Sequence, residues 1–256
     1  MNKVTRWGIC FSISILTVIL LQFHQPIFSE TSTIEWGYQG EMGPENWGDL
    51  TEEFSTCKIG EEQSPINIQG NASNSNLPAI QFDYKYSEYE VVNDGSTIKV
   101  NYDPGSSITV AGKRYELLQF HFHAPTEHQI NGKTYPMEAH LVHQSSDGQL
   151  AVVGVLMEEG KENAFISALW SNLPQQSGVD QVIEGVKINA SALPPAEQSY
   201  YQYAGSLTTP PCSEGVNWMV LKQPIEVSKA QVQQFQSIHA GNARPVQPLN
   251  NRQVKN

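Results

Sequence analysis

The stretch Leu118-Gln119-Phe120-His121-Phe122-His123 alternates an apolar with a polar side chain at every step. Only an extended strand with one buried face fits that period, since a helix would scatter the phenylalanines and imidazoles around its circumference. Gln119, His121 and His123 are expected on one face, and Leu118, Phe120 and Phe122 on the apolar one. Met137–Gln144 behaves alike: Glu138, His140 and Val142 share one face, Ala139, Leu141 and His143 the other. A hairpin turning at Asn131-Gly132 sets His140 opposite His123 and diagonal to His121, so three imidazoles converge.

Similar runs surround this pair. Glu88–Val92, Thr97–Tyr102, Ile108–Val110 and Leu150–Met157 are bounded by Asn93-Asp94-Gly95, Asp103-Pro104-Gly105, Ala111-Gly112 and Ser146-Asp147-Gly148. Turn residues at such intervals predict a meander of antiparallel strands. Helices are expected at Asn163–Ser171 and at Lys229–Ala240. The second has Ser228 as N-cap, Gln231 completing a capping box and Gly241 just past its end. Its Val232, Phe235 and Ile238 form a face suited to covering the sheet.

Three neutral imidazoles without a thiolate, leaving a fourth position open, are the ligand set of a catalytic zinc site, because structural sites close all four positions. Gln119 and Glu138 share that face and can orient the second nitrogen of a ligand ring. His143, pointing into the apolar face, and His128, in the connecting loop, read as structural. His121-x-His123 followed by Glu127 also resembles the first metal motif of cupins. Tyr115 and Thr134 stand where that motif requires glycines, and its second motif is absent near His140.

The chain carries 15 Lys and Arg against 26 Asp and Glu, a formal charge of −11. That balance repels phosphate backbones and anionic lipid, which excludes nucleic acid and points to small partners of little charge. Residues 1–29 read as an export signal, removed in the mature protein. Lys3 and Arg6 precede an apolar run, Trp7–Leu21, that is short for a membrane span, and Ser29 is a small residue before a cut. An uncleaved anchor is the alternative; with the signal removed, no membrane association is expected. Residues 30–256 then form one domain in a secreted or periplasmic protein. Its two cysteines, Cys57 and Cys212, are expected to form one disulfide, with two buried free thiols as the alternative.

At this point a resemblance becomes specific. Trp36-Gly37-Tyr38, Gly43-Pro44-Glu45-Asn46-Trp47, Gln63-Ser64-Pro65-Ile66-Asn67-Ile68 and Gln119–His123 occur in order. Glu138–His143, Ser206-Leu207-Thr208-Thr209-Pro210-Pro211-Cys212 and Asn250-Asn251-Arg252-Gln253 follow. Together they resemble the α-class carbonic anhydrases of the secreted bacterial type, over essentially the whole mature chain. The resemblance implies a mainly β (α+β) fold, a large, mostly antiparallel twisted sheet with a few peripheral helices. It implies a zinc lyase that interconverts carbon dioxide and bicarbonate by attack of zinc-bound hydroxide. His121, His123 and His140 would hold the zinc, with Gln119 and Glu138 behind them. Thr208 and Glu127 would form the pair that orients the nucleophile, and Thr209 would meet bicarbonate oxygens. Val142, Val152, Leu207, Val216 and Trp218 would line the apolar substrate pocket, while Tyr38 and Tyr203 would support an ordered water network. The Cys57–Cys212 pairing also matches bacterial relatives. One departure stands out: Ser96 occupies the position where fast members carry a proton-shuttling histidine, and Lys99 places a charge at a polar cavity position.

Overall fold

Tight turns divide the chain close to where the alternation predicts. At Ala111-Gly112, both residues take positive φ, 50° and 79°, the conformation a two-residue hairpin needs to match strand twist. The computed structural model describes residues 35–69, 73 and 75–256; the expected signal lies outside them. Short helices α1 (Trp47–Leu50) and α2 (Thr56–Ile59) precede β1 (Asn67–Ile68), β2 (Gln81–Asp83), β3 (Ser87–Asn93) and β4 (Ile98–Asn101). Next come β5 (Ser107–Val110), β6 (Lys113–His123), β7 (Gln129–Ile130), β8 (Met137–Ser145) and β9 (Leu150–Glu159). The remainder is α3 (Ala164–Trp170), β10 (Val179–Ile188), β11 (Tyr200–Ser206), β12 (Glu214–Leu221), β13 (Ile225–Val227) and α4 (Lys229–Gln236).

Among the described residues, eleven strands join one sheet whose main path runs β10-β3-β4-β6-β8-β9-β12-β11. Most pairs are antiparallel, as expected, while β12 and β13 both join β9 in parallel. Strands β10 to β13 were not anticipated. Gly185 and a register break between Ile183 and Lys187 interrupt the alternation of β10, and its outer side chains are largely exposed.

Phe120, Phe122, Ala139, Leu141, Val153 and Val155 carry the apolar face, packed against Trp170 of α3 and Phe235 of α4. Asn163 caps α3 by accepting from the Phe165 and Ile166 N–H groups. The capping box of Ser228 and Gln231 is present on α4, and Val232, Phe235 and Ile238 pack on the sheet. Helix α4 ends at Gln236 rather than at Ala240. Gly241 serves the following turn instead, its N–H bonding Ala124 O at 3.0 Å.

Two further expectations need correction. Leu118 is exposed, not in the core, because the register of β6 against β8 shifts between Leu117 and Gln119 and a bulge there resets the alternation. His140 lies opposite His121, not opposite His123, whose partner is Glu138. The segment between β6 and β8 is no simple hairpin. Gln129–Ile130 pairs in parallel with Asn67–Ile68, and Ile130 closes a local turn on Lys133. A displacement by two residues leaves His121, His123 and His140 on their expected face.

The alternatives for the cysteines are resolved: Cys57 and Cys212 are joined by a disulfide spanning 155 residues. Restricting so long a loop in the unfolded chain contributes about 2–4 kcal/mol.

His143 behaves as a structural histidine, bonded to the Tyr84 hydroxyl at 2.7 Å and to Ala151 O at 3.3 Å. Burial pushes its pKa down to about 3. The unfolded chain, with an ordinary value near ~6.5, takes up the proton first, so His143's contribution to stability is intact above that pH and drains as pH falls toward 3. Urea unfolding at pH 7, 5 and 4 checks this. His143→Gln should show a shallower acid dependence, by up to about 1.4 kcal/mol per pH unit, and identical profiles would contradict it.

Candidate metal centre

Register and alternation bring the three imidazoles together on the polar face of β6 and β8. Ring centroids lie 5.3 Å apart for His121 and His140, 4.6 Å for His123 and His140, and 5.1 Å for His121 and His123. One nitrogen from each lies within 4.8 Å of the other two. The outward nitrogens are all committed. His121 Nδ1 donates to Gln119 Oε1 at 2.9 Å, His123 Nδ1 to Asn242 O at 2.7 Å, and His140 Nε2 to Glu138 Oε1 at 2.9 Å. Oxygens of this kind only accept, so each of those nitrogens carries the ring proton. The lone pairs therefore sit on His121 Nε2, His123 Nε2 and His140 Nδ1. His123 Nε2 is buried without a hydrogen-bond partner. A buried, unpaired nitrogen beside two more lone pairs is what a soft-to-borderline dication requires, so the residues fit zinc.

Burial lowers the pKa of all three imidazoles; for His121 the neighbouring His123, His140 and Lys99 add to the effect. Neutral rings, ready to ligate, are the result. Glu138 is the counterpart. Burial alone would raise its carboxyl, yet the facing His128 and His140 and their hydrogen bonds hold it well below the usual range. Oε2 takes the Glu127 and His128 N–H groups at 3.0 and 2.9 Å, and Oε1 also takes His128 Nδ1 at 2.7 Å. His128 Nε2 in turn meets the Tyr203 hydroxyl at 2.7 Å, which meets Ser64 Oγ at 2.8 Å. A chain of hydrogen bonds thus backs His140. Tyr203, expected at a water network, is buried, its ring stacked on Trp218 and its hydroxyl bonded to His128 Nε2 and Ser64 Oγ.

Glu127 lies beside the cluster, with Oε2 3.5 Å from His123 Nε2 and 3.8 Å from His140 Nδ1. Its Oε1 accepts the Arg244 backbone N–H at 2.8 Å. Burial pushes the carboxyl up to about 7, against the pull of His140, the Arg244 N–H and the Thr208 hydroxyl. Thr208 is buried, and Thr209 O accepts the Cys212 N–H at 2.9 Å, closing the turn that follows it. Val142, Val152, Val216 and Trp218 form one apolar cluster with Leu207 against it. Trp218 also packs edge-on to His140 with centroids 4.8 Å apart, so the apolar wall adjoins the imidazoles.

Ser96 sits in the loop after β3, its hydroxyl donating to Asp94 Oδ1 at 2.7 Å. Lys99 faces the same side, in register with His121, and its Nζ lies 3.7 Å from Asp94 Oδ2. Tyr38 packs among Trp36 and Trp47, and burial followed by the charge of Glu127 raises its hydroxyl well above the ordinary value. Sequence reasoning missed Asn242 and Arg244. Both act on the site through backbone atoms, which leave no residue-type signal, although Asn242 also ties Ala124 N–H and Ser96 O through its side chain.

The chain as a whole is similar to known proteins. The family model described as eukaryotic-type carbonic anhydrase matches residues 42–256. A carbonic anhydrase of Neisseria gonorrhoeae is 48% identical over 221 residues, 86% of this chain and 86% of that protein. One from Nostoc sp. is 44% identical over 230 residues, 88% of this chain and 87% of that protein. The α-carbonic anhydrase of Thermovibrio ammonificans, solved with the inhibitor sulfanilamide, superposes with a TM-score of 0.85 at 46% identity, covering 87% of this chain and 99% of that one. Fold, histidine cluster and relatives converge, and the chain belongs to the eukaryotic-type, or α, carbonic anhydrase family.

Proposed function

We propose that this protein is an exported zinc carbonic anhydrase, with His121, His123 and His140 as the zinc ligands and Thr208 and Glu127 as the pair that orients the nucleophile. Its reaction is the reversible hydration of carbon dioxide to bicarbonate and a proton. The observation that carries the reading is the set of three inward lone pairs fixed by three outward hydrogen bonds. Bound zinc supplies the charge that makes water acidic near pH ~7, an effect for which carbonic anhydrase is itself the reference case, and the same charge keeps Glu127 ionised. Ionised Glu127 only accepts, so the Thr208 hydroxyl must donate to it. Thr208 Oγ is then free to accept the proton of the attacking oxygen and aim its lone pair at carbon. Val142, Val152, Leu207, Val216 and Trp218 hold the small apolar substrate, and Thr209 meets the bicarbonate oxygens. Export through residues 1–29, leaving residues 30–256 as the catalytic domain in the periplasm or outside the cell, is supported by the disulfide. Stopped-flow carbon dioxide hydration on zinc-replete protein tests the reading, and no rate above background would refute it.

Proton export should limit turnover. His128 and His143 are buried, and His239 Nε2 is bonded to Asn93 Oδ1, a buried side chain on the core side of β3. The Ser96 hydroxyl does not titrate near neutral pH, whereas an imidazole does. Hydration turnover is therefore expected to rise several-fold with added imidazole-type buffer and in Ser96→His. A flat buffer response with no gain in that variant would assign the exit route to Lys99, Tyr38 or another group.

A further inference from the structure

Arg244 is a buried cation, 2% exposed, in a segment without helix or strand between α4 and the C-terminus. Nη1 donates to Gln63 Oε1 at 2.9 Å and to Ser64 O at 2.8 Å, and Nη2 donates to Cys57 O at 2.9 Å. The guanidinium also lies over the Trp47 ring, 5.6 Å from its centroid. None of these partners is an acid, so the side chain is held by a neutral fork of oxygens rather than by an ion pair. Nε is buried without a hydrogen-bond partner, so the three bonds of Nη1 and Nη2 are what offset the cost of burying this cation and tether the backbone to which it is attached.

That backbone is the point. The N–H of the same residue is the donor to Glu127 Oε1 at 2.8 Å. No helix or sheet ladder holds the peptide; Asn242 ties the segment two residues earlier to His123, Ala124 and Ser96, and the fork on the Arg244 side chain anchors the peptide itself. The Thr208 side is tied to the same anchor. Gln63, which accepts from Arg244, donates through Nε2 to Cys212 O at 3.1 Å, and Cys212 closes the turn after Thr208 and Thr209.

We propose that Arg244 is a positioning residue for the Thr208–Glu127 pair, its side chain fixing the backbone N–H on Glu127 and, through Gln63, the turn that carries Thr208. The proposal rests on the assignment of that pair to the reaction. A plain structural brace would lower stability and affect activity to the same degree whatever stood at position 127. A positioning residue loses its effect once its target no longer needs positioning.

The experiment is a double-mutant cycle on the zinc-replete mature protein, using Arg244→Lys, Glu127→Gln and the combination. Lysine keeps the charge and loses the fork. Arg244→Lys is expected to lower kcat/KM for hydration about tenfold in the parent and less than twofold in the Glu127→Gln background. Zinc content per chain should stay unchanged in all variants, read by metal analysis beside the thermal midpoint. Gln63→Met, which removes one acceptor and the bond to Cys212, should give a smaller loss with the same non-additivity, and it carries the test if Arg244→Lys fails to fold. Equal losses in both backgrounds, or none in either variant, overturn the proposal. Glu127→Gln at the parental rate instead overturns the assignment of the pair, and the proposal with it.

Discussion

Replacing His140 with alanine is expected to abolish both zinc retention and carbon dioxide hydration. His140 is the proposed ligand whose support runs deepest: Glu138 Oε1 holds its Nε2, and His128, Tyr203 and Ser64 stand behind that carboxylate. Its loss leaves two lone pairs where three are needed to hold a dication with an open position. Metal analysis after dialysis against a chelator, together with stopped-flow rates, reads both consequences. Glu138→Gln is the graded comparison. It keeps the ligands but weakens their orientation, for which a loss of roughly 10–100-fold in metal affinity or activity is the usual scale. Full hydration by the metal-stripped protein, or by His140→Ala, would remove the metal centre from the mechanism.

The second large effect is expected at Thr208. Thr208→Ala removes the hydroxyl proposed to join Glu127 to the attacking oxygen while touching none of the imidazoles' outward bonds. Zinc should stay bound, and kcat/KM should fall on the order of 100-fold, the scale for one preorganised hydrogen bond in a water-poor site. Glu127→Gln should cost a similar factor, and the double variant should be no slower than either single one, because the two groups act as one device. Losses that multiply would show independent roles. A loss of zinc in Thr208→Ala would show that the residue shapes the metal centre instead.

How far the site could be read beforehand depends on which interactions alternate. Side-chain direction in β6 and β8 follows a period of two, so the shared face of His121, His123 and His140 was legible from residue order alone. Register was not. It depends on the path between the strands, where Gln129–Ile130 leaves to pair with β1, and nothing in the Asn131-Gly132 turn announces that. The bulge at Leu118 escaped for a related reason, since Leu117 and Leu118 are equally apolar and only the partner strand decides which is turned outward. His128 was correctly read as satisfied by hydrogen bonds. Its partners, Glu138 and Tyr203, lie 10 and 75 residues away, beyond any local pattern. Glu127 and Thr208 entered through family resemblance, because an acid after a turn and a threonine before two prolines carry no chemistry of their own.

The centre's supports are spread along the chain in an order that sets a timetable. His123 is oriented by Asn242 across 119 positions, and Glu127 by Arg244 across 117. The final residues matter as well, since the Lys255 N–H bonds Gln202 O and the Asn256 N–H bonds Ser73 O. A chain still emerging from the ribosome therefore displays its imidazoles before anything holds them in place. Contacts this distant in sequence form late and slowly. Under the proposed export and zinc binding, metal loading is an event of the finished chain, governed by the zinc supply of the compartment that receives it.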